Sequence, residues 1–134
     1  MAPKNEEERL TAKHKVRNYY KKTAVKELQQ LIKIWSKKMD LHPKDLSFRL
    51  QKSKWGSCGS NGHISLNWGL ITCPFEVMEY VVIHELAHLK HQNHSKRFWA
   101  LVESFCPDYK QHKKWLKNNN YVCDFHQTKS QLHI

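Results

Sequence analysis

Glycine and proline are scarce in this sequence, four of each in 134 residues, and no long stretch is enriched in either. That excludes collagen-like and low-complexity chains, whose composition depends on them. Acidic residues are also few, 12 against 23 lysines and arginines. They form no cluster suited to Mg²⁺, and there is no glycine-rich loop of the kind that cradles phosphates. The four cysteines, at 58, 73, 106 and 123, make no C-x-x-C pair, which argues against a zinc ribbon. Each reads as a small buried hydrophobe kept reduced, and Cys58 is set apart by the unusual turn Trp55-Gly56-Ser57-Cys58. No apolar run approaches the roughly 20 residues of a membrane span. Residues 1–9 are polar and acidic, unlike a signal peptide. The expectation is a cytoplasmic protein with no membrane segment.

What is present points to one globular domain over residues 1–134, with loose ends at 1–9 and 127–134. At 40% hydrophobic the chain can build a modest core. The net charge of +11 makes DNA or another polyanion a candidate partner; a basic surface that only aids solubility accounts for it equally well.

Helical periodicity runs from Leu10 to Met39, in one or two pieces, with Leu28, Leu31, Ile32, Trp35 and Met39 on one stripe. Lys13, Lys15, Arg17, Lys21 and Lys22 make its early part basic around Tyr19 and Tyr20. A solvated helix face is the plainer reading, a polyanion-binding face the sharper one. His42-Pro43 breaks the helix. Residues 46–50 alternate as a half-buried strand, 52–62 read as a turn or short hairpin, and 63–68 as a second strand. Thr72 or Cys73 should cap a helix over about 74–92, with Pro74 in its first turn. Ser95 should cap another over about 96–105, ended by Pro107, and Asp108 a last one over about 109–117. Residues 121–125 suggest a short strand or ordered tail.

The stretch 81–99 organises the rest. His84 and His88 are four apart, so on a helix their imidazoles lie on one face, one above the other. Two imidazoles so placed can hold one Zn²⁺, with the intervening Glu85 as general base. A catalytic zinc takes three protein ligands and keeps a position open. His94, six residues beyond His88, supplies the third if a left-handed residue such as Asn93 ends the helix and folds the chain back. His91 lies about 10 Å along the axis from His84, too far on a straight helix. Glu103 ranks below His94 because it falls off the apolar face of Phe98, Leu101, Val102 and Phe105. An ordinary amphipathic helix with incidental histidines is the plain alternative.

Lys52-Ser53-Lys54-Trp55-Gly56-Ser57-Cys58, then Ile64-Ser65-Leu66-Asn67-Trp68, His84 through Ser95, residues 98–102 and the Pro107-Asp108-Tyr109-Lys110 and Lys113-Lys114-Trp115-Leu116 segments come in one order. Together they resemble the YgjP-like metallopeptidase domain, which belongs with the SprT-like and Spartan-type zincins. The resemblance covers roughly residues 18–121. It implies an α+β fold: a compact zincin-like domain whose small β-sheet packs with an N-terminal helix and the metal-binding helix, followed by further C-terminal helices. Typical members carry a β-rich region before the first helix, where this sequence has a helical pattern. The spacing of His84, His88 and His94 also fits metzincins, but His91 stands where their glycine belongs. Met39 and Met78 both precede the site, so no Met-turn can follow it.

Three functions are in view. The first is a zinc-dependent metallopeptidase acting on a peptide or protein, with His84, His88 and His94 on the metal and Glu85 as base. A peptide would add as a strand beside residues 63–68, with Asn67 at the cleft rim unless it bonds the backbone instead. Tyr109, His112 and Tyr121 are weak candidates for helping the oxyanion. The second is a nucleoside-triphosphate pyrophosphatase, because some members of the family are described as acting on UTP. The third is a nucleic-acid-binding module with structural zinc, for which a fourth ligand is missing.

Overall fold

The computed structural model describes the backbone over residues 6–51 and 54–119, and side chains from residue 15 onward. The strand expected over 121–125, the loose end at 127–134 and Tyr121 lie outside the described residues.

Helix α1, Glu6–Met39, runs uninterrupted, because no glycine or proline falls within it. Residues 6–9, expected to be frayed, already belong to it. The predicted stripe is the buried one: Leu28, Leu31, Ile32, Trp35 and Met39 all face the core. The helix ends before His42-Pro43. Asp40 takes the left-handed conformation at φ 54, and the Leu41 N–H reaches back to the Ser36 carbonyl at 3.1 Å.

Three short strands follow: β1 Asp45–Arg49, β2 Gly56–Cys58 and β3 His63–Asn67. The sheet order is β1–β3–β2, with β1 parallel and β2 antiparallel to the central β3. Residues 56–62 are the hairpin anticipated there. Gly62 turns it at φ +85, and the Gly59 N–H donates to the His63 carbonyl at 2.8 Å. Since β3 is flanked on both sides, a peptide cannot add beside residues 63–68; among the described residues β2 is the edge strand on that side.

Asn67 is buried, 1% exposed. Its Nδ2 donates to the carbonyls of Gln51 and Lys54 at 2.9 and 2.8 Å, and its Oδ1 accepts from the Gly69 N–H at 2.8 Å. It ties down the loop before β2 and is not a cleft-rim group. A 3₁₀ helix, Trp68–Thr72, leads into α2, Phe75–Ala87. Neither Thr72 nor Cys73 caps α2. The Thr72 hydroxyl donates to the Gly69 carbonyl, and Pro74 occupies the cap position without a side-chain bond.

α2 is buried from Val77 to Ala87 apart from the half-buried Glu79, as a helix at the centre of a domain must be. α1 packs on it and on the 3₁₀ helix, while β2 and β3, α3 (Lys96–Phe105) and α4 (Tyr109–Asn118) pack on its other sides. The Trp35 Nε1–H donates to Glu79 at 3.0 Å, joining α1 to α2. Ser95 caps α3 as expected, accepting from the Phe98 N–H at 3.2 Å; Asp108 stands at the start of α4 without a capping bond. Among the described residues no helix is long and apolar enough to cross a membrane.

Candidate metal centre

α2 delivers His84 and Glu85 in its last turn and His88 just beyond it. The helix stops at Ala87 rather than 92. The chain then tightens, with Leu89 N–H bonding to Leu86, and Lys90 and His91 N–H to Ala87. No left-handed residue is needed: among the described non-glycine residues only Asp40 has positive φ, so Asn93 does not end the helix that way. The tightened turn brings His94 back over the helix end.

The three imidazoles meet. His94 Nε2 lies 3.1 Å from His88 Nε2 and 3.3 Å from His84 Nε2. The potential donor atoms all fall within 4.8 Å of one another. Four tetrahedral ligands about 2.0–2.1 Å from a zinc stand roughly 3.3–3.4 Å apart, so the spacing fits that ion with little movement.

The far nitrogens are held as well. His88 Nδ1 lies 3.0 Å from the His91 carbonyl, which can only accept, so Nδ1 carries the proton and Nε2 is free to ligate. His84 Nδ1 lies 3.1 Å from the hydroxyl of Tyr80, one helical turn earlier. With the proton on Nδ1, the imidazole donates to Tyr80 and again presents Nε2. Burial first, then the neighbouring His88 and His94, hold His84 well below the ordinary histidine range, and burial lowers His88 too. Both are therefore neutral near pH 7, the form a metal requires.

Aromatic rings build the rest of the wall. Phe98 stacks on His88 with centroids 4.4 Å apart, and Trp99 stacks on both His94 and Tyr109. These rings anchor the exposed His94, which lies on a loop. His91 contributes its carbonyl and no ring nitrogen to the cluster. Glu103 is exposed in a depression beside His94 and outside the cluster. Tyr109 stacks its ring on Trp99 and lines the depression beside His94, and His112 lies against Tyr80 with ring centroids 6.1 Å apart.

Glu85 is 2% exposed, yet it lines the same cavity of about 260 Å³ as the three histidines, Lys54, Gly56 and Cys58. Burial pushes its carboxyl up to about 8, offset in part by the Lys54 ammonium. A cation in the histidine cluster would draw it down again. The carboxylate fits because position 56 has no side chain: a Cβ there would stand 3.0 Å from Glu85 Oε2.

Tyr80 and Gly56 are the two site residues that sequence reasoning passed over. The i−4 offset of Tyr80 from His84 was readable as a helical neighbour. The closeness of Gly56 to Glu85 depends on how the sheet docks on α2, which local pattern does not encode.

Three converging imidazoles at the end of a buried helix, with a carboxylate beside them and a short sheet alongside, define a zincin-like metallopeptidase fold. The comparisons agree. Residues 1–119 match the YgjP-like, metallopeptidase domain, and the chain belongs to that family. The crystal structure of the metallopeptidase zymogen of Pyrococcus abyssi abylysin superposes with a TM-score of 0.61 at 25% identity, covering 69% of this chain and 95% of that one. No curated protein matches the sequence.

Proposed function

We propose that this single domain is a zinc-dependent metallopeptidase in which His84, His88 and His94 hold the metal and Glu85 is the general base. The observation that carries the reading is the convergence of three Nε2 atoms beside a buried carboxylate in one cavity. Bound there, zinc would supply a Lewis acid and lower the pKa of a water toward about 7.

The chain's own residues do the remaining work. Glu85 takes the proton of the attacking water and returns it to the departing amine, a contribution typically worth about 10²–10⁴-fold in rate. Its burial excludes bulk water, and a cation held by the histidines would lower its pKa from the metal-free value of about 8, leaving the carboxylate ionised and able to accept. Tyr80 and the His91 carbonyl keep His84 and His88 in the ligating tautomer. Among the described residues β2 is an edge strand next to Glu85, so an extended peptide can pair with Gly56–Cys58 and lay a carbonyl into the cavity. Membership of a metallopeptidase family supports a peptide or protein as the substrate class.

The test is a zinc-loaded assay on a denatured protein and, in parallel, on UTP. Cleavage of the protein with UTP untouched is expected. Turnover of UTP with the protein untouched would overturn the peptidase reading.

A further inference from the structure

The outer face of α1 is a basic surface distinct from the metal centre. Between residues 15 and 39 the helix carries eight basic residues against one acidic residue, Glu27. At roughly 100° per residue, Lys15, Lys22, Lys26, Lys33 and Lys37 fall within an arc of about 60°, with Tyr19 at its border. All five lysines are exposed, and Ala24, Leu28, Leu31 and Trp35 bury the opposite face. The row is about 33 Å long at a rise of roughly 1.5 Å per residue. Glu27 lies outside the arc. Among the described residues no carboxylate stands within ion-pair distance of any of these lysines. A helix face that serves solubility alone usually interleaves both signs; this one does not.

Two exposed rings accompany the charges. Tyr19 is 68% exposed and Tyr20 52%, packed edge to face with centroids 5.9 Å apart. Tyr19 borders a shallow depression that also takes in Lys15, Lys22 and Lys26. A row of cations meets the phosphates of a linear polyanion, and free tyrosine rings offer faces on which unpaired bases stack. An anionic membrane would need apolar side chains between the lysines to enter the bilayer. The residues that flank the lysine arc here are Asn18, Gln29 and Gln30, and the exposed Val16 and Ile34 lie about 60° beyond its edge.

We infer that the Lys15–Lys37 row of α1, with Tyr19, binds single-stranded nucleic acid. The surface would hold the domain on a nucleic acid while the metal centre acts on another molecule. This inference does not depend on the proposed peptidase reading.

Fluorescence anisotropy of the full chain with a labelled oligothymidylate tests it, from about 50 to 200 mM salt. Binding should fall steeply with salt. The triple variant Lys15→Gln/Lys22→Gln/Lys26→Gln should lose at least tenfold in affinity, and its log–log salt slope should shrink by about 2, near 0.7 per lost phosphate contact. Lys44→Gln/Lys110→Gln/Lys117→Gln removes equal charge from exposed positions elsewhere and should leave both values near wild type. Tyr19→Ala should weaken binding several-fold without changing the slope. The inference is overturned by no binding at low salt, by equal losses in both triple variants, or by capture of phosphatidylserine vesicles without the oligonucleotide. Unchanged affinity in Tyr19→Ala removes the stacking and with it the single-strand preference. Cleavage of a denatured protein should be unaffected in the Lys15/Lys22/Lys26 variant, which separates the two surfaces.

Discussion

Gly56 of β2 and Glu85 of α2 stand so close that a methyl group at 56 would lie 3.0 Å from Oε2 and 3.1 Å from Cγ of the carboxylate. The sheet edge and the buried acid are built against each other. Gly56→Ala should therefore displace Glu85, costing about 1–3 kcal/mol of stability and roughly 10²-fold in turnover. Zinc content should stay normal, because the histidines are not touched. Gly59→Ala is the control: its added methyl meets the exposed side chain of Asn61, away from Glu85. Equal turnover in both variants would show that the contact has no catalytic consequence.

Tyr80→Phe keeps the ring and removes the hydroxyl that meets His84 Nδ1. The buried N–H is then left without its partner, at about 1–3 kcal/mol. Zinc affinity should fall by about 10–100-fold, as for other groups that orient a metal ligand. Competition with a chromophoric chelator measures it. An unchanged affinity would make Tyr80 a packing residue only.

Ligand variants separate the two histidines that compete for the third position. His94→Ala should strip most of the zinc, measured by metal analysis after dialysis. His91→Ala should leave it, because the carbonyl that orients His88 survives the substitution. The reverse result would mean that the centre is assembled differently.

The metal-free protein should lose stability as the pH rises from about 6.5 to about 8. His84 and His88 are lowered in the fold, so below about 6.5 the unfolded chain binds more protons there than the folded one, and their contribution rises with pH. Glu85 is raised from 4.5 to about 8, so between those values the folded chain holds the extra proton and stability falls with pH. Above 6.5 the histidines are neutral in both states and Glu85 acts alone, at about 1.4 kcal/mol per pH unit up to about 8. Urea unfolding of chelator-treated protein should show the decline above 6.5, and Glu85→Gln should abolish it. A flat curve in both proteins would contradict the burial assigned to Glu85.

Much of this arrangement was readable from periodicity. The Leu28–Met39 stripe, the Ser95 cap and the i, i+4 placement of His84 and His88 follow from helical geometry within a few residues of sequence. The return of His94 was readable from its distance along the chain, though through a tightened turn and not through Asn93. What escaped depends on long-range packing. The parallel pairing of β1 with β3 joins residues 18 apart, as in Asp45 with His63, and no local signal specifies it. The edge position of β2 follows from that pairing, so the docking edge beside residues 63–68 was misassigned. Asn67 looked available because two of its three partners, the carbonyls of Gln51 and Lys54, lie in the loop before β2.

The most direct measurement of the central claim is turnover of a denatured protein by zinc-loaded wild type and Glu85→Gln, with zinc content determined on the same samples. The substitution keeps the size of the side chain and removes the base. Equal zinc in the two proteins and a rate about 10²–10⁴-fold lower in the variant are expected. Full turnover with normal zinc would contradict this and remove Glu85 as the base.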